Sequence, residues 1–498
     1  MSRVIGPEAL KSRMDGGGRS HRGGLPLVFD IGSHCIFLGT AGQPLPYLEI
    51  PPVVAQHRNA GQLNDDSPIG SLVEERSEYL LGPDKRNEYF VGEQAKQLLR
   101  SAEGEGSEYV ARYPLANQRV INWTDLEKIW IHGMHHNLGV VAEDHPILMN
   151  VPPYLHAKDH RKMLEILFES LNGCDVSLHD DAALALLSRG VSSGMVLALG
   201  HSTAEFVPVE EGFTTHHFAM PMDDSMTGIA TTRRLKDLLA KSPHDFTKEV
   251  VGKCHLSDEY AQALKEDYSM VAQFYNHQLC DFDESWKRVL EEKQRHSRVS
   301  LGPRMFWYDN RQQVDPRKNI VQELKLKDRE GKECELMLGP ERMAVYESLF
   351  DARRLDPEQM YVPEEETGVL AGPGRTGKTV PVPKDGLAGR ITAHLEVLAE
   401  YAVNGTVLRN LVVTGGNACA PGFADRLGSD LLRYSRENGK KVWTLPRHRV
   451  LSSPNPRYDV WKGGSILATH PSMSWVSKRF YMEHGAANTI KQKLWLRE

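Results

Sequence analysis

Two apolar strand-turn-strand pairs constrain the fold of this chain more than any other feature. The first runs through residues 27–40 and the second through residues 194–209, and in each pair an apolar strand enters a short turn before a second strand. Strands and helices alternate between and after these pairs. Such alternation is typical of α/β domains in which helices cover a sheet. The sequence therefore predicts two similar α/β halves.

Composition limits the classes of protein to which the chain can belong. Its 498 residues exceed what one hydrophobic core usually organises, so we expect at least two domains. A formal net charge of −6 gives no reason to expect a nucleic-acid-binding face, and no apolar run is long enough to span a membrane. Six scattered cysteines without a Cys-x-x-Cys pair indicate a reducing compartment and no structural zinc.

Two stretches depart from the regular pattern. Residues 1–24 are polar and glycine-rich without an apolar segment, which predicts a disordered N-terminal extension and not a secretory signal. Between about 276 and 385 the alternation weakens and charged runs occur, and residues 363–385 are rich in proline, glycine and glutamate. We therefore expect surface insertions at about 276–345 and 351–385.

A Gly-Gly turn near the C-terminal end carries the clearest ligand signal. A short apolar strand, which includes Val412, Val413 and Thr414, runs into Gly415 and Gly416, and a helix begins soon afterwards. Glycine lets a backbone pass close to a flat ligand because it has no Cβ atom. The turn is followed by Pro-Gly-Phe-Ala-Asp-Arg at 421–426, and a second distinctive block lies at 458–468.

These two blocks, together with residues 121–130 and 142–148, resemble the actin family. The similarity covers roughly residues 25–275 and 386–485, which identifies the chain as a divergent actin-related protein. The resemblance implies an actin-like fold of two ribonuclease-H-like α/β domains that face each other across a nucleotide cleft. It implies a first domain at 25–190, to which 470–498 returns, and a second domain at 191–470.

In the actin family, two strand-turn-strand loops hold the nucleotide phosphates through backbone N–H groups, and an acidic residue in each loop helps to hold a hydrated metal ion. The first loop of this chain keeps the acid, the glycine and the hydroxyl, at Asp30, Gly32 and Ser33. The lysine that contacts phosphate in the family is replaced by Phe37, whose ring carries no charge. The resemblance therefore implies a weakened phosphate contact.

The second loop departs further from the family. It keeps Gly200, but Ala198 and His201 replace its two carboxylates. Other replacements stand where the family handles water and phosphate, namely Asp181 for a glutamine, and Asn117 and Glu205 for histidines. Because metal-assisted phosphoryl transfer depends on positioning and charge stabilisation, we expect no catalytic residue, no efficient hydrolysis and no Mg²⁺ site.

The resemblance implies better preservation on the nucleoside side. The matching positions are Lys265, Glu266, Gly415, Gly416 and Arg457, and the last replaces a lysine but can still stack on a ring. A tyrosine of the family is lost at Ala420. We expect ATP or ADP to bind weakly or not at all. Two plainer interpretations stay open: the Gly-Gly turn serves packing alone, and the Lys-Glu pair is a solvated helix face.

Three weaker motifs point elsewhere. Residues 372–379 match the P-loop pattern, but the prolines that follow prevent the helix that a P-loop requires, so we expect a basic loop. Cys419 is a candidate reactive thiol beside the Gly-Gly turn, for which buried packing is the expectation. Three histidines have a spacing that can bind metal, although an ordinary helix surface is expected: His132, His135 and His136.

The leading functional prediction is a non-catalytic actin-related protein that acts as a structural subunit of a cytoskeletal assembly in the cytoplasm. It has protein partners and no direct contact with nucleic acid or membrane. One alternative is a subunit of a nuclear chromatin-remodelling complex. Another is an actin-like ATPase that polymerises, which requires new carboxylates in place of those that are lost.

Overall fold

A computed structural model of the chain describes most of its residues. Residues 1–23 of the expected N-terminal extension, most of the two expected insertions and the 372–379 motif lie outside the described ranges. These ranges are 24–57, 89–101, 109–116, 119–152, 155–241, 257–271, 322–327, 333–339, 341–351, 386–400, 407–437, 449–471 and 473–494. The chain divides into a first compact unit, Met1–Ser192 with Tyr458–Glu498, and a second, Ser193–Arg457.

The first unit combines a mixed sheet with helices. Its strands are β1 Leu27–Ile31, β2 Ile36–Thr40, β3 Leu48–Ile50, β4 Val54–His57, β5 Tyr89–Val91, β6 Tyr109–Arg112, β7 Leu115–Ala116, β8 Arg119–Val120, β9 Ile147–Val151, β10 Asp175–Asp180 and, near the C-terminus, β19 Val476–Ser477. Its helices are α1 Gly92–Ser101, α2 Trp123–Ile131, α3 Ala157–Glu165, α4 Asp181–Leu187, α10 Asp459–Ala468 and α11 Lys478–Thr489. Among the described residues, its main sheet has the order β19-β10-β9-β1-β2-β3.

Every residue of β1, β2 and β9 is buried, as in sheets that are covered on both faces. Because side chains alternate along a strand, Phe29 packs with Trp130 of α2 on one face, and Val28 packs with Trp461 of α10 on the other. The Trp461 indole Nε1 donates to the Val28 carbonyl at 3.1 Å. The two layers fix the strand that leads into the first loop.

The second unit repeats this construction. Its strands are β11 Gly194–Leu199, β12 Ala204–Glu210, β13 Phe213–Thr214, β14 Met220–Pro221, β15 Gln322–Lys327, β16 Glu333–Leu338, β17 Asn410–Thr414 and β18 Arg449–Leu451. Its helices are α5 Gly228–Ala240, α6 Asp258–Tyr268, α7 Glu341–Phe350, α8 Gly386–Glu400 and α9 Phe423–Glu437. Among the described residues, its main sheet has the order β13-β12-β11-β17-β18.

The two main sheets share one pairing pattern. In the first unit, β1 pairs antiparallel with β2 and parallel with β9, which pairs parallel with β10. In the second unit, β11 pairs antiparallel with β12 and parallel with β17, which pairs parallel with β18. A hairpin followed by two parallel strands therefore occurs twice, and the predicted α/β class is confirmed.

The chain returns to the first unit earlier than the predicted boundary at 470. Helix α10 belongs to the first unit, which the chain re-enters at Tyr458. A Cβ atom on Gly463 would lie 1.8 Å from the Leu184 carbonyl oxygen, so α10 and α4 touch backbone to backbone. No residue other than glycine fits there. This close packing was not evident from the apolar pattern of the helix.

The expected surface insertion at 276–345 is wrong in its last part. β15 and β16 form an antiparallel hairpin, and α7 begins at Glu341 with all of its residues buried. The charges of α7 are accommodated because Arg426 of α9 pairs with Glu347 through two hydrogen bonds, at 2.9 and 3.1 Å.

No helix among the described residues combines the length and the apolar character that crossing a membrane requires.

Candidate functional site

The first loop joins β1 to β2 in the first unit. The β1–β2 pairing ends at Ile31 and Ile36, and Gly32 N donates to the Cys35 carbonyl at 3.1 Å to close a tight turn. Asp30, Gly32 and Ser33, three of the predicted nucleotide-binding residues, lie in this hairpin. Asp30 is buried, with 7% of its surface exposed, whereas Ser33 is half-buried.

A buried amide holds the acid of this loop. Asn150 Nδ2, on β9, donates to Asp30 Oδ1 at 3.0 Å and to Asp181 Oδ1 at 2.9 Å, while Asn150 Oδ1 accepts from Ile31 N at 2.6 Å. Burial raises the pKa of Asp30 to about 7, against a smaller lowering by the backbone N–H of Trp461. The carboxyl group is thus poorly suited to carry a full negative charge at neutral pH.

The residue at the family's lysine position is enclosed by apolar groups. Phe37 lies directly opposite Asp30 in the β1–β2 ladder and is 7% exposed. Its ring packs edge-on against Tyr458 with centroids 5.1 Å apart, and the Tyr458 hydroxyl donates to Glu49 on β3. Tyr458 thus packs against the cluster that contains Phe37.

The second loop joins β11 to β12 in the second unit. Gly200 N donates to the Thr203 carbonyl at 2.8 Å. The carbonyls of Gly200 and His201 accept from Gly228 N and Ile229 N, each at 2.9 Å. Two N–H groups in the first turn of α5 are therefore satisfied by the chain itself. The predicted residue Gly200 serves this turn.

Ala198, where the resemblance implies a carboxylate, lies opposite an acidic residue on the next strand. Ala198 on β11 lies directly opposite Glu205 on β12, so the two side chains share one face of the hairpin. Burial raises the pKa of Glu205 to about 7, and His216 lowers it in part. Asn117, which replaces a histidine of the family according to the resemblance, lies outside the described residues.

The adjacent residues Lys265 and Glu266 face in different directions on α6. Glu266 is exposed and accepts from Gln262 Nε2 at 2.7 Å, whereas Lys265 is 4% exposed. Lys265 Nζ donates to the Gly228 carbonyl at 2.9 Å and to Thr231 Oγ1 at 3.1 Å. Burial lowers the pKa of Lys265 to about 8, partly offset by Glu266. The interpretation of the Lys-Glu pair as a solvated helix face therefore holds for Glu266 but not for Lys265, which is buried.

The two glycines of the Gly-Gly turn are held differently. Gly415 has φ +100°, and a Cβ atom there would lie 2.3 Å from the Leu199 carbonyl oxygen, so the fold itself requires glycine. Gly416 is exposed, and no atom of the described residues lies within 4 Å of its Cβ position. Close packing therefore requires a glycine at position 415. At position 416 the structure leaves open space beside the backbone.

Both sides of this turn are anchored. Gly415 N and Thr414 Oγ1 donate to the Pro456 carbonyl at 3.3 and 3.0 Å, which places the turn next to Arg457. Asn417 is 2% exposed and donates from Nδ2 to the Met226 carbonyl at 3.1 Å. Asn150 and Asn417 were not predicted as site residues, because a single amide in an apolar stretch gives no sequence signal.

The remaining candidates lie as follows. The rings of His132 and His136 are 5.2 Å apart, and burial, followed by the charge of His136, lowers the pKa of His132 to about 4. No group of three or more potential metal ligands occurs in the described part of the chain.

Cys419 is exposed, contrary to expectation, and its Sγ donates to Asn455 Oδ1 at 3.5 Å.

The predicted site residues therefore form two groups. Asp30, Gly32 and Ser33 lie in the first unit. The other group lies in the second unit and consists of Gly200, Lys265, Glu266, Gly415, Gly416 and Arg457.

Comparison with known proteins agrees with this architecture. The sequence profile of the family described as Actin matches residues 24–494. A protein of Neurospora crassa described as "Actin-like protein" is 25% identical over 443 residues, which cover 89% of this chain and 91% of that protein. The actin-like fold inferred from the sequence is thereby supported over nearly its whole length, and the chain belongs to the actin family.

Proposed function

We propose that this chain is a non-catalytic actin-related protein that serves as a structural subunit of a cytoskeletal assembly. Its nucleotide site keeps the nucleoside side and lacks the phosphate and metal side. The observation that carries the proposal is the enclosure of Phe37 by Tyr458, at the position where the family has a lysine that contacts phosphate. A buried aromatic ring cannot neutralise a phosphate group.

The described residues do not fit a hydrated metal ion. Of the family's carboxylates, Asp30 remains, but its pKa is raised to about 7 and Asn150 holds it together with Asp181. Ala198 and His201 offer no carboxylate in the second loop. A divalent ion prefers several charged or carbonyl oxygens. The proposal therefore includes no Mg²⁺ and no ATP hydrolysis.

The residues of the second unit fit a nucleoside better. Gly416 leaves room for a planar group beside the backbone, and the turn that carries it is fixed on both sides by Pro456 and Asn417. Arg457, next to Pro456, can stack on an aromatic ring. Adenosine binding without a contribution from the phosphates follows from this arrangement.

Calorimetric titration tests this part of the proposal. Adenosine, ADP and ATP are titrated with and without Mg²⁺, and we expect similar affinities that Mg²⁺ does not change. Gly416→Ala weakens binding because the methyl group fills the open space. Gly428→Ala is the matched control, since its Cβ would make only an ordinary contact of 3.6 Å with Val450. Tight binding of ATP that requires Mg²⁺ would exclude the proposal.

The structural role rests on family membership and on the retained fold. The two main sheets repeat the same topology among the described residues. Phe37, Ala198 and His201 stand where the resemblance implies charged groups that hold phosphate and metal. A protein that keeps its scaffold without its chemistry is suited to binding other proteins. We propose protein partners and a location in the cytoplasm, on the cytoskeleton.

Capture of partners from cells distinguishes this role from the alternatives. Recovery of filament or motor-adaptor proteins supports the cytoskeletal role. Recovery of remodelling ATPases would instead support a subunit of a nuclear chromatin-remodelling complex. An active ATPase would show Mg²⁺-dependent turnover that Asp30→Ala abolishes, and the non-catalytic proposal would then be abandoned.

A further inference from the structure

Lys265 has a side chain that is almost completely buried and fully engaged. Its exposed fraction is 4%, and its ammonium group donates to Gly228 O at 2.9 Å, Thr231 Oγ1 at 3.1 Å and Asn417 Oδ1 at 3.4 Å. An ammonium group has three N–H donors. The three acceptors therefore match all of its donors, and none remains for a ligand.

The contact with Asn417 connects this lysine to the Gly-Gly turn. Asn417 directly follows Gly416, and its side chain lies between Lys265 Nζ and the Met226 carbonyl. Thr231 Oγ1 also lies 3.1 Å from Asn417 Oδ1. Asn417, at the C-terminal side of the Gly-Gly turn, is therefore hydrogen-bonded to Thr231 in the first turn of α5 and to Lys265 on α6.

We propose that Lys265 is a positioning residue that holds the Gly415–Gly416 turn in its binding geometry through Asn417, and that it touches no ligand itself. The inference rests on the proposed function, since the ligand served is the base or ribose of a nucleoside. Removing the ammonium group leaves the Thr231 hydroxyl as the side-chain donor to Asn417 Oδ1, at 3.1 Å, so Asn417 and the turn lose one of the hydrogen bonds that fix their position.

Hydrogen exchange tests the positioning without any ligand. In Lys265→Met, we expect the amides of Gly415 and Ala418 to exchange at least about tenfold faster, because these amides close the turn. Lys236→Met is the surface control, since Lys236 also joins α5 to α6 through Asp258, at 2.6 Å. It should leave these amides unchanged.

A second control separates positioning from general loss of stability. Leu239→Ala removes a fully buried side chain at the other end of α5. It should lower the stability of the second unit without selective acceleration at the turn. Equal acceleration of the turn amides in Leu239→Ala and Lys265→Met would overturn the inference, and so would unchanged exchange in Lys265→Met.

Adenosine titration completes the test through a double-mutant cycle. If Lys265 acts through the turn, Lys265→Met and Gly416→Ala each weaken binding, and the double variant binds no more weakly than the weaker single variant. Strictly additive losses would mean that Lys265 acts independently of the turn, and would overturn the inference. If the wild-type protein binds no adenosine while the turn amides respond to Lys265→Met, the nucleoside proposal fails and the positioning of the turn stands.

Discussion

Replacing Asp30 with asparagine should make the first unit more stable at neutral and alkaline pH, and change its stability little near pH 4. Asparagine keeps the size of the side chain and can still accept the hydrogen bond from Asn150 Nδ2. It cannot ionise. The comparison of the two proteins therefore isolates the free energy of ionising this buried carboxyl group.

The magnitude follows from the rise of the pKa of Asp30 from 3.8 to about 7. Because the pKa is higher in the folded state, the stability that the protonated group contributes is complete below pH 3.8 and is lost as the pH rises through about 7. The full loss is roughly 4 kcal/mol. Of this, roughly 3 kcal/mol falls between pH 5 and pH 8.

The assay is hydrogen exchange of the β1 amides, Leu27–Ile31, which reports the opening free energy of this sheet directly. Exchange is corrected for the intrinsic rate at each pH, because a chain with two compact units need not unfold in one step. Asp144→Asn, at an exposed position, is the control. Parallel pH dependence in wild-type and Asp30→Asn protein would refute the claim that burial raises the pKa of Asp30 to about 7.

Three further variants test other parts of the structure. Gly415→Ala should destabilise the second unit by at least about 2 kcal/mol in urea denaturation, since φ is +100° and its Cβ would meet Leu199 O. The stability of the wild-type protein relative to Lys265→Met should rise by roughly 3 kcal/mol between pH 8 and pH 10.5, the folded-state and ordinary pKa of Lys265, in thermal unfolding. Glu347→Gln should cost about 3 kcal/mol in urea, because Arg426 loses a buried partner; no loss would contradict the pairing.

The overall fold could be predicted because its signals are local. Each hairpin, β1–β2 and β11–β12, is a pair of apolar strands around a short turn, and such short apolar runs are visible in the sequence itself. The parallel strands β9 and β17 are likewise short apolar runs. The chain re-enters the first unit at Tyr458, but the sequence placed this boundary at 470. The backbone contact between α10 and α4, which fixes the boundary, involves residues far apart in sequence.

The candidate site was less predictable, because adjacent residues on a helix point in different directions. Lys265 and Glu266 form one motif in the sequence, but α6 turns about 100° per residue and places one inside and the other outside. Asn150 and Asn417 join segments that are distant in the chain, since Asn150 bonds to Asp30 and Asn417 to Thr231, each more than a hundred residues away. Spacing patterns cannot reveal such contacts.

Phe37, at the position where the resemblance implies a lysine, and the raised pKa of Asp30 belong to one local arrangement. The two residues are cross-strand partners on the same face of the β1–β2 hairpin, so the side chain at 37 sets the surroundings of the carboxyl group. A cation there would favour the ionised acid, whereas an aromatic ring excludes water and favours the neutral form. A single residue therefore bears on both charges that the resemblance implies for the first loop, the cation at position 37 and the ionised acid at position 30. Phe37 belongs to the apolar cluster on this face of the sheet, whereas Gly416, in the second unit, has open space at its Cβ position.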